Sequence, residues 1–268
     1  MKKEDNIKNL GIIPARMGST RFPGKPLVDI AGKPMIQHVY EQCQKAKNLD
    51  HIVIATDSER IADVAKSFSA DAILTSENHP TGMDRILETI QSYEDYTHIV
   101  NIQGDEPCIS PDSIDGVLNV LYNNDECEIS TVAVKFTNEE DYLDQHQVKV
   151  VFDYSCRALY FSRSPIPFNA FSTDSLNGNK LKEDEGGFNA FASIAYKHLG
   201  LYAYTREALL KIPTCKPSSL EVSEKLEQLR FLQNGMPIYV HISPHDSIGV
   251  DVPEDVEKVK KILQSKKS

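Results

Sequence analysis

Leu10-Gly11-Ile12-Ile13-Pro14-Ala15-Arg16-Met17-Gly18-Ser19-Thr20-Arg21-Phe22-Pro23-Gly24-Lys25-Pro26 opens as a short apolar run and passes directly into a basic, glycine-bearing loop. An apolar run of this length, bounded by turn residues, reads as a buried strand. The loop resembles a phosphate-binding P-loop, but the letters rule that out. A P-loop needs G-x-x-x-x-G-K-[ST], with a helix opening at the hydroxyl residue. Here five residues separate Gly18 from Gly24, and Pro26 stands where the hydroxyl belongs. Proline has no N–H and biases the residue before it toward extended geometry. The segment nevertheless calls for an anion. Between Gly11 and Pro34 the cations Arg16, Arg21, Lys25 and Lys33 face the single acid Asp29, in a chain whose formal net charge is -10. Such a local reversal of sign concentrates field where an anionic ligand can sit.

Outward from this stretch the pattern repeats strand and helix. Ile36, Val39, Tyr40 and Cys43 share one helical face after Pro34, and Ile52–Ala55 is the next strand. Ser58 can cap a helix carrying Ile61, Val64, Ala65 and Phe68. A short strand at Ala72–Leu74 precedes a helix with Ile86, Leu87, Ile90 and Tyr93. A strand at His98–Ile102, a helix with Ile114, Val117, Leu118 and Leu121, and a strand at Ile129–Val134 follow. Alternation of this kind predicts a mostly parallel, doubly wound α/β sheet with helices on both faces. The second half changes character. Val148–Phe152 and Ala158–Phe161 read as paired antiparallel strands, and residues 172–187 as a polar, mobile loop. Regular structure resumes at Lys197, a helix is expected from about Leu220 to Gln233, and a strand near Ile238–Val240 and a helix from Pro253 to Leu263 close the chain. The expectation is one domain over 1–268 with an arm inserted at about 137–200.

Composition narrows the function. The chain is 40% hydrophobic and 25% charged, as ordinary globular chains are. An acidic balance, with a pI near 5.3, argues against nucleic-acid binding. No apolar run reaches the ~18 residues of a membrane span. MKKEDNIKNL has no apolar signal core, and the five scattered cysteines never form C-x-x-C. A cytoplasmic protein without a zinc site is expected.

Ligands of open α/β sheets bind beyond the carboxyl ends of the strands. Candidates there are Pro14, Ala15 and Arg16 with the basic loop, Gln103-Gly104-Asp105 after the His98 strand, and Gly249-Val250-Asp251 after the last strand. Asp105 and Asp251 could meet at one metal, since magnesium takes one or two carboxylates plus substrate oxygens. Asp251 reads equally as the start of the final helix. Thr81-Gly82-Met83-Asp84-Arg85 opens a helix whose N–H groups could hold an anion, although plain capping explains it better. His198 alone is more often a structural residue than a ligand, and Glu221, Glu224, Glu227, Gln228 and Arg230 together read as a solvated helix face. Arg163 could pair with a ligand carboxylate or with the protein's own acids.

Taken in order, these segments resemble the CMP-Kdo synthetases, the 3-deoxy-manno-octulosonate cytidylyltransferases. The likeness runs through IIPARMGSTRFPGKPL (Ile12–Leu27), NIQGDEP (Asn101–Pro107), ALYFSRSPIPF (Ala158–Phe168), YKHLGLYAY (Tyr196–Tyr204), EKLEQLR (Glu224–Arg230) and GVDVPED (Gly249–Asp255). The resemblance implies a Rossmann-like nucleotidyltransferase sheet and transfer of CMP from CTP to the C2 hydroxyl of an acidic 3-deoxy-octulosonic sugar. Arg16, Arg21 and Lys25 would hold the triphosphate. Arg85 and the backbone of Pro14 and Ala15 would read cytosine. Asp105 and Asp251 would hold Mg2+, and a second magnesium would ride on the phosphates. Gln103, Arg163, His198, Tyr202, Glu227 and Gln228 fall at sugar-contacting positions, and the arm implies a homodimer. No protein base is assigned. Parts of the chain also look like the subgroup that activates the 8-amino sugar, another acidic sugar is a further alternative, and a binding-only relative would not need both aspartates with Arg16 and Lys25. Met83 departs from the small polar residue usual in the family at that place, which bears on base or ribose contact.

Overall fold

The computed structural model describes residues 7–18, 22–168 and 194–265. Arg21 and the expected polar loop at 172–187 therefore lie outside the described residues.

Strand β1 (Asn9–Ala15) lies centrally, paired in parallel with β4 (His51–Thr56) on one side and β6 (His98–Asn101) on the other. Its side chains alternate between the two faces, as the pleat requires. Leu10 and Ile12 enter one core, and Ile13 and Ala15 the other. The second of these cores is closed by α1 (Met35–Cys43), α2 (Glu59–Ser67) and α4 (Pro111–Asn123). The first is closed by α3 (Gly82–Thr89) together with chain from the C-terminal half. Two of these helices begin on local signals: Ser58 accepts a hydrogen bond from the Ile61 N–H, and Pro111 occupies the first turn of α4.

The sheet runs β11-β7-β10-β6-β1-β4-β5, where β5 is Asp71–Leu74, β7 Ile129–Lys135, β10 Tyr196–Thr205 and β11 Tyr239–Ile242. Its pairs are parallel except where β10 runs antiparallel between β6 and β7. Between β7 and β10 the described residues form α5 (Glu139–Leu143) and the expected antiparallel pair, β8 (Lys149–Phe152) and β9 (Ala158–Ser162), with β8 also joined to β10. A two-stranded hairpin of β2 (Asp29–Ile30) and β3 (Lys33–Pro34) leads into α1, and α6 (Arg206–Lys211) follows β10.

One expected element needs correction. The helix over Leu220–Gln233 is two helices, α7 (Ser219–Glu224) and α8 (Gln228–Gln233), separated by Lys225 in the left-handed region at φ 54°. Leu226, Leu229 and Leu232 keep a spacing compatible with one continuous helix, so periodicity does not register the break. The turn instead drives Leu226 into the core and delivers Glu227 and Gln228 to the carboxyl end of the sheet. The last described element is α9 (Pro253–Ser265), packed with Ile30, Met35, Cys108 and Val250 in a small separate core.

Candidate active site

Two neighbouring clefts open at the carboxyl ends of the strands. The first, about 320 Å³, is walled by the ends of β1 and β6, by Lys25, by the approach to α3 and by Asp251. The second, about 300 Å³, lies over β10, between the loop before β8 and the α7–α8 turn. Gln103 borders both. Its amide Nε2 donates to the Gly200 carbonyl at 2.8 Å, at the irregularity in β10 between Leu199 and Tyr202. The adjoining Gly104 is required by close approach: a Cβ there would sit 2.6 Å from the Pro14 carbonyl oxygen.

The first cleft is organised around Lys25. Its ammonium donates to Asp105 Oδ2 at 2.7 Å and to the Val250 carbonyl at 2.8 Å, and lies 3.6 Å from Asp251 Oδ1. Residues far apart in sequence thus form one charged group: two carboxylates facing a single cation. Arg16 is exposed at the cleft, with the Pro14 and Ala15 backbone beside it. Asp251 does more than begin a helix. Asp255 accepts from the Asp251 and Val252 N–H groups, while the Asp251 carboxylate faces Lys25. Glu106, next in chain to Asp105, is pushed up to about 7 by burial and then by the Asp105 charge. Among the described residues no three or more His, Cys, Asp and Glu gather into an all-protein metal cage. Two part-exposed carboxylates already facing a cation are the donor set a magnesium ion shared with substrate oxygens would use.

The opposite end of this cleft is chemically different. Thr81 and Asp84 form a reciprocal capping box, so the α3 N-terminus already carries a carboxylate. That favours the capping reading over an anion site. Arg85 is buried, with Nη2 on Asp57 Oδ2 at 2.8 Å and Nη1 on the Thr75 hydroxyl. Its charge is offset, which leaves a fixed set of N–H donors rather than a mobile phosphate clamp. His79 also lines the cleft, with Nε2 bonded to Glu88. Met83 is only 4% exposed and packs in the core with Leu10, Ile12 and Val53. The departure at that position therefore changes packing beneath α3, and Thr81 and Gly82 form the cleft wall.

In the second cleft His198, Tyr202, Glu227 and Gln228 converge, with Asn101 at the floor. The His198 ring meets the Thr131 hydroxyl at 3.0 Å through Nε2 and packs edge-on to Phe161. Loss of water around it lowers its pKa to about 3, so it is neutral at physiological pH. Burial, and then neighbouring Glu227, raises Tyr202, while burial and then Glu221 raise Glu227. Asn101 Oδ1 and Gln228 Nε2 are buried without a hydrogen-bond partner. Unmet polar atoms are costly, and the residues that carry them border a cleft whose chemistry suits a ligand rich in hydroxyls. Arg163 lies outside both clefts. Its Nε donates to the Glu224 carbonyl at 2.9 Å and its Nη1 to the Gln145 carbonyl at 3.2 Å.

Asp57, Asn101 and His79 were not singled out by sequence. Asp57 follows a strand directly, and that position was the available signal; His79 sits in a loop with no spacing to mark it.

Comparison with known proteins identifies the family. The sequence profile of the cytidylyltransferase family matches residues 10–238. The 3-deoxy-manno-octulosonate cytidylyltransferase of Leptospira biflexa is 46% identical over 250 residues, covering 93% of this chain and 94% of that protein. The enzyme of the same name from Geobacter sulfurreducens is 46% identical over 248 residues, covering 92% and 96%. A solved structure of CMP:2-keto-3-deoxy-manno-octonic acid synthetase in complex with CTP superposes with a TM-score of 0.84 at 35% identity, over 97% of this chain and 99% of that one. A cytidylyltransferase structure from Leptospira borgpetersenii, at 19% identity and a TM-score of 0.61, shares the fold. With a family match over most of its length and close relatives spanning nearly all of it, the chain belongs to the cytidylyltransferase family.

Proposed function

We propose that the protein transfers CMP from CTP to the C2 hydroxyl of 3-deoxy-D-manno-octulosonate, forming CMP-Kdo and pyrophosphate for lipopolysaccharide synthesis. The observation that carries this reading is the pair of clefts bordered by one segment, Asn101–Asp105: a cleft built on Lys25, Asp105 and Asp251 on one side and a hydrogen-bonding cleft of His198, Tyr202, Glu227 and Gln228 on the other. The relatives named above support the choice of CTP and Kdo over another acidic sugar or a binding-only role.

In the reaction the C2 hydroxyl oxygen attacks the α-phosphorus and releases its proton to solvent, the bond from the α-phosphorus to the oxygen bridging to the β-phosphate breaks, and pyrophosphate leaves with that electron pair. Two anions must first be brought together. Arg16 and Lys25, with Arg21, serve the triphosphate, and their charges gain value as negative charge grows on the leaving group. Arg85, fixed by Asp57, and the Pro14–Ala15 backbone serve the base. Gln103, His198, Tyr202, Glu227 and Gln228 serve the sugar, with neutral His198 adding no charge. Asp105 and Asp251 would hold Mg2+, which when bound offsets phosphate charge and lowers the pKa of a coordinated hydroxyl.

The direct test is pyrophosphate release with CTP and magnesium, comparing Kdo, 8-amino-Kdo and N-acetylneuraminate. Release with Kdo is expected; none from folded, CTP-bound protein would refute the assignment. Asp105→Ala should cut kcat/KM at least ~100-fold, since metal-borne charge stabilisation is worth several kcal/mol and each ~1.4 kcal/mol is tenfold. A loss below about fivefold would remove Asp105 from the metal site.

The same reading includes a cytoplasmic homodimer. Its support is the arm, where Tyr154, Leu159 and Phe168 are exposed apolar groups. Among the described residues no helix is long and apolar enough to cross a membrane. Sedimentation of only the 30.0 kDa monomer at micromolar concentration would contradict the dimer.

A further inference from the structure

The second cleft has two walls from distant parts of the chain. One is His146–Val148, after α5; the other is Leu226–Gln228, at the α7–α8 turn. Behind them lies a cluster that touches neither cleft. Glu224, the last residue of α7, accepts the Ser162 hydroxyl at 2.7 Å on one carboxylate oxygen and the Arg163 N–H at 2.9 Å on the other. The Arg163 side chain reaches back to the Glu224 carbonyl and across to the Gln145 carbonyl. Lys149, 0% exposed, donates to the Asp144 carbonyl at 2.6 Å and to the Arg163 carbonyl at 3.0 Å.

A fully buried ammonium is tolerated only where it is bonded and its charge is answered. Here the Asp144 and Glu224 carboxylates supply the answering charge, and Glu224 also offsets the neighbouring Arg163 cation. The bonds end next to the cleft walls: Asp144 and Gln145 precede His146, and Glu224 precedes Leu226. Between Glu224 and that wall lies Lys225, a non-glycine residue held left-handed at φ 54°. Such a conformation persists where its surroundings over-determine it.

We propose that Glu224 and Lys149 are positioning residues for the sugar acceptor: through Arg163 they hold the two walls of the second cleft at fixed spacing without touching the ligand. The proposal rests on reading that cleft as the acceptor site. It also accounts for Arg163 at a family sugar position while its side chain is spent on two backbone carbonyls.

The test compares Glu224→Ala, Glu224→Gln and Lys149→Met in the full chain. Rates are measured with CTP and Kdo each varied, and CTP dissociation constants without sugar. A glutamine can accept from the Arg163 N–H and donate to Ser162 Oγ, so it should restore most of what alanine loses. Misplacement of about 1 Å can cost 10²-fold. Glu224→Ala and Lys149→Met should therefore raise the KM for Kdo at least about tenfold, with the CTP dissociation constant within about twofold of wild type. Equal losses for both substrates, an unchanged KM for Kdo, or no rescue by glutamine would overturn the proposal. If wild type binds CTP but does not use Kdo, the reading of the cleft has failed instead. Backbone amide exchange then judges the lock: faster exchange confined to 144–148 and 225–228 in Glu224→Ala upholds it, and unchanged exchange there overturns it. Should Glu224→Ala not fold, Ser162→Ala, which removes one of the two carboxylate bonds, and Lys149→Met carry the same comparison.

Discussion

Replacing Asp57 by alanine leaves the Arg85 guanidinium buried with its counter-charge gone. The side chains of the pair are 4% and 17% exposed, and the contact between them is 2.8 Å. Solvent cannot take over from the lost carboxylate, and the Thr75 hydroxyl is a neutral partner. Breaking a buried pair from one side costs about 3–5 kcal/mol. At roughly 2–4 °C per kcal/mol for a chain approaching this size, the melting temperature should fall by about 6–20 °C. The decisive assay is a double-mutant cycle by urea denaturation, with Asp57→Ala, Arg85→Met and both together. Removing the second charge relieves the penalty left by the first, so the double variant should be less destabilised than the sum of the singles by about 0.5–3 kcal/mol. Additive singles, or a loss below about 1 kcal/mol for Asp57→Ala, would refute the view that this pair is a desolvated ion pair. The same variants should weaken CTP binding, because a guanidinium without Asp57 no longer holds one orientation in the cleft.

Gly104→Ala should damage both stability and activity, because a Cβ would sit 2.6 Å from the Pro14 carbonyl on the neighbouring strand; a loss of about 1–3 kcal/mol is expected in a denaturation series, and a wild-type melt would show that the strand ends separate freely. His198 gives a pH dependence. Its folded pKa of about 3 lies below the ordinary value of 6.5, so between those limits the unfolded chain binds the extra proton. Stability should therefore fall as pH drops from about 6.5 toward 3, with a slope from this group of at most about 1.4 kcal/mol per pH unit. His198→Asn should flatten that slope, and an unaltered slope would mean that the ring titrates normally. An imidazole NMR signal that stays in its neutral position down to pH 5 would make the same point.

Much of the fold could be read from local pattern. The strand at Leu10–Pro14, the helix after Pro34 and the Ser58 cap depend on neighbours within a few residues, and the structure has them where expected. The break at Lys225 could not be read this way. Leu226, Leu229 and Leu232 fit a continuous helix, and the turn is held by Ser162 and Arg163 from the arm. The capping reading of Thr81–Arg85 was also local, and it agrees with the reciprocal bonds of Thr81 and Asp84.

The sequence alone determined the alternation of strands and helices, the basic loop that breaks the P-loop rule, and a set of acids and cations at strand ends. Those features follow from periodicity and residue chemistry, which act at short range. Only the tertiary structure decided which charges meet. It brought Lys25 between Asp105 and Asp251, sealed Arg85 against Asp57, turned Met83 into the core, and placed the Arg163 side chain on the Glu224 and Gln145 carbonyls. Each of these outcomes depends on packing between segments distant in sequence. Burial then fixes the charge state of each group, as it does for neutral His198, through desolvation that local sequence does not encode.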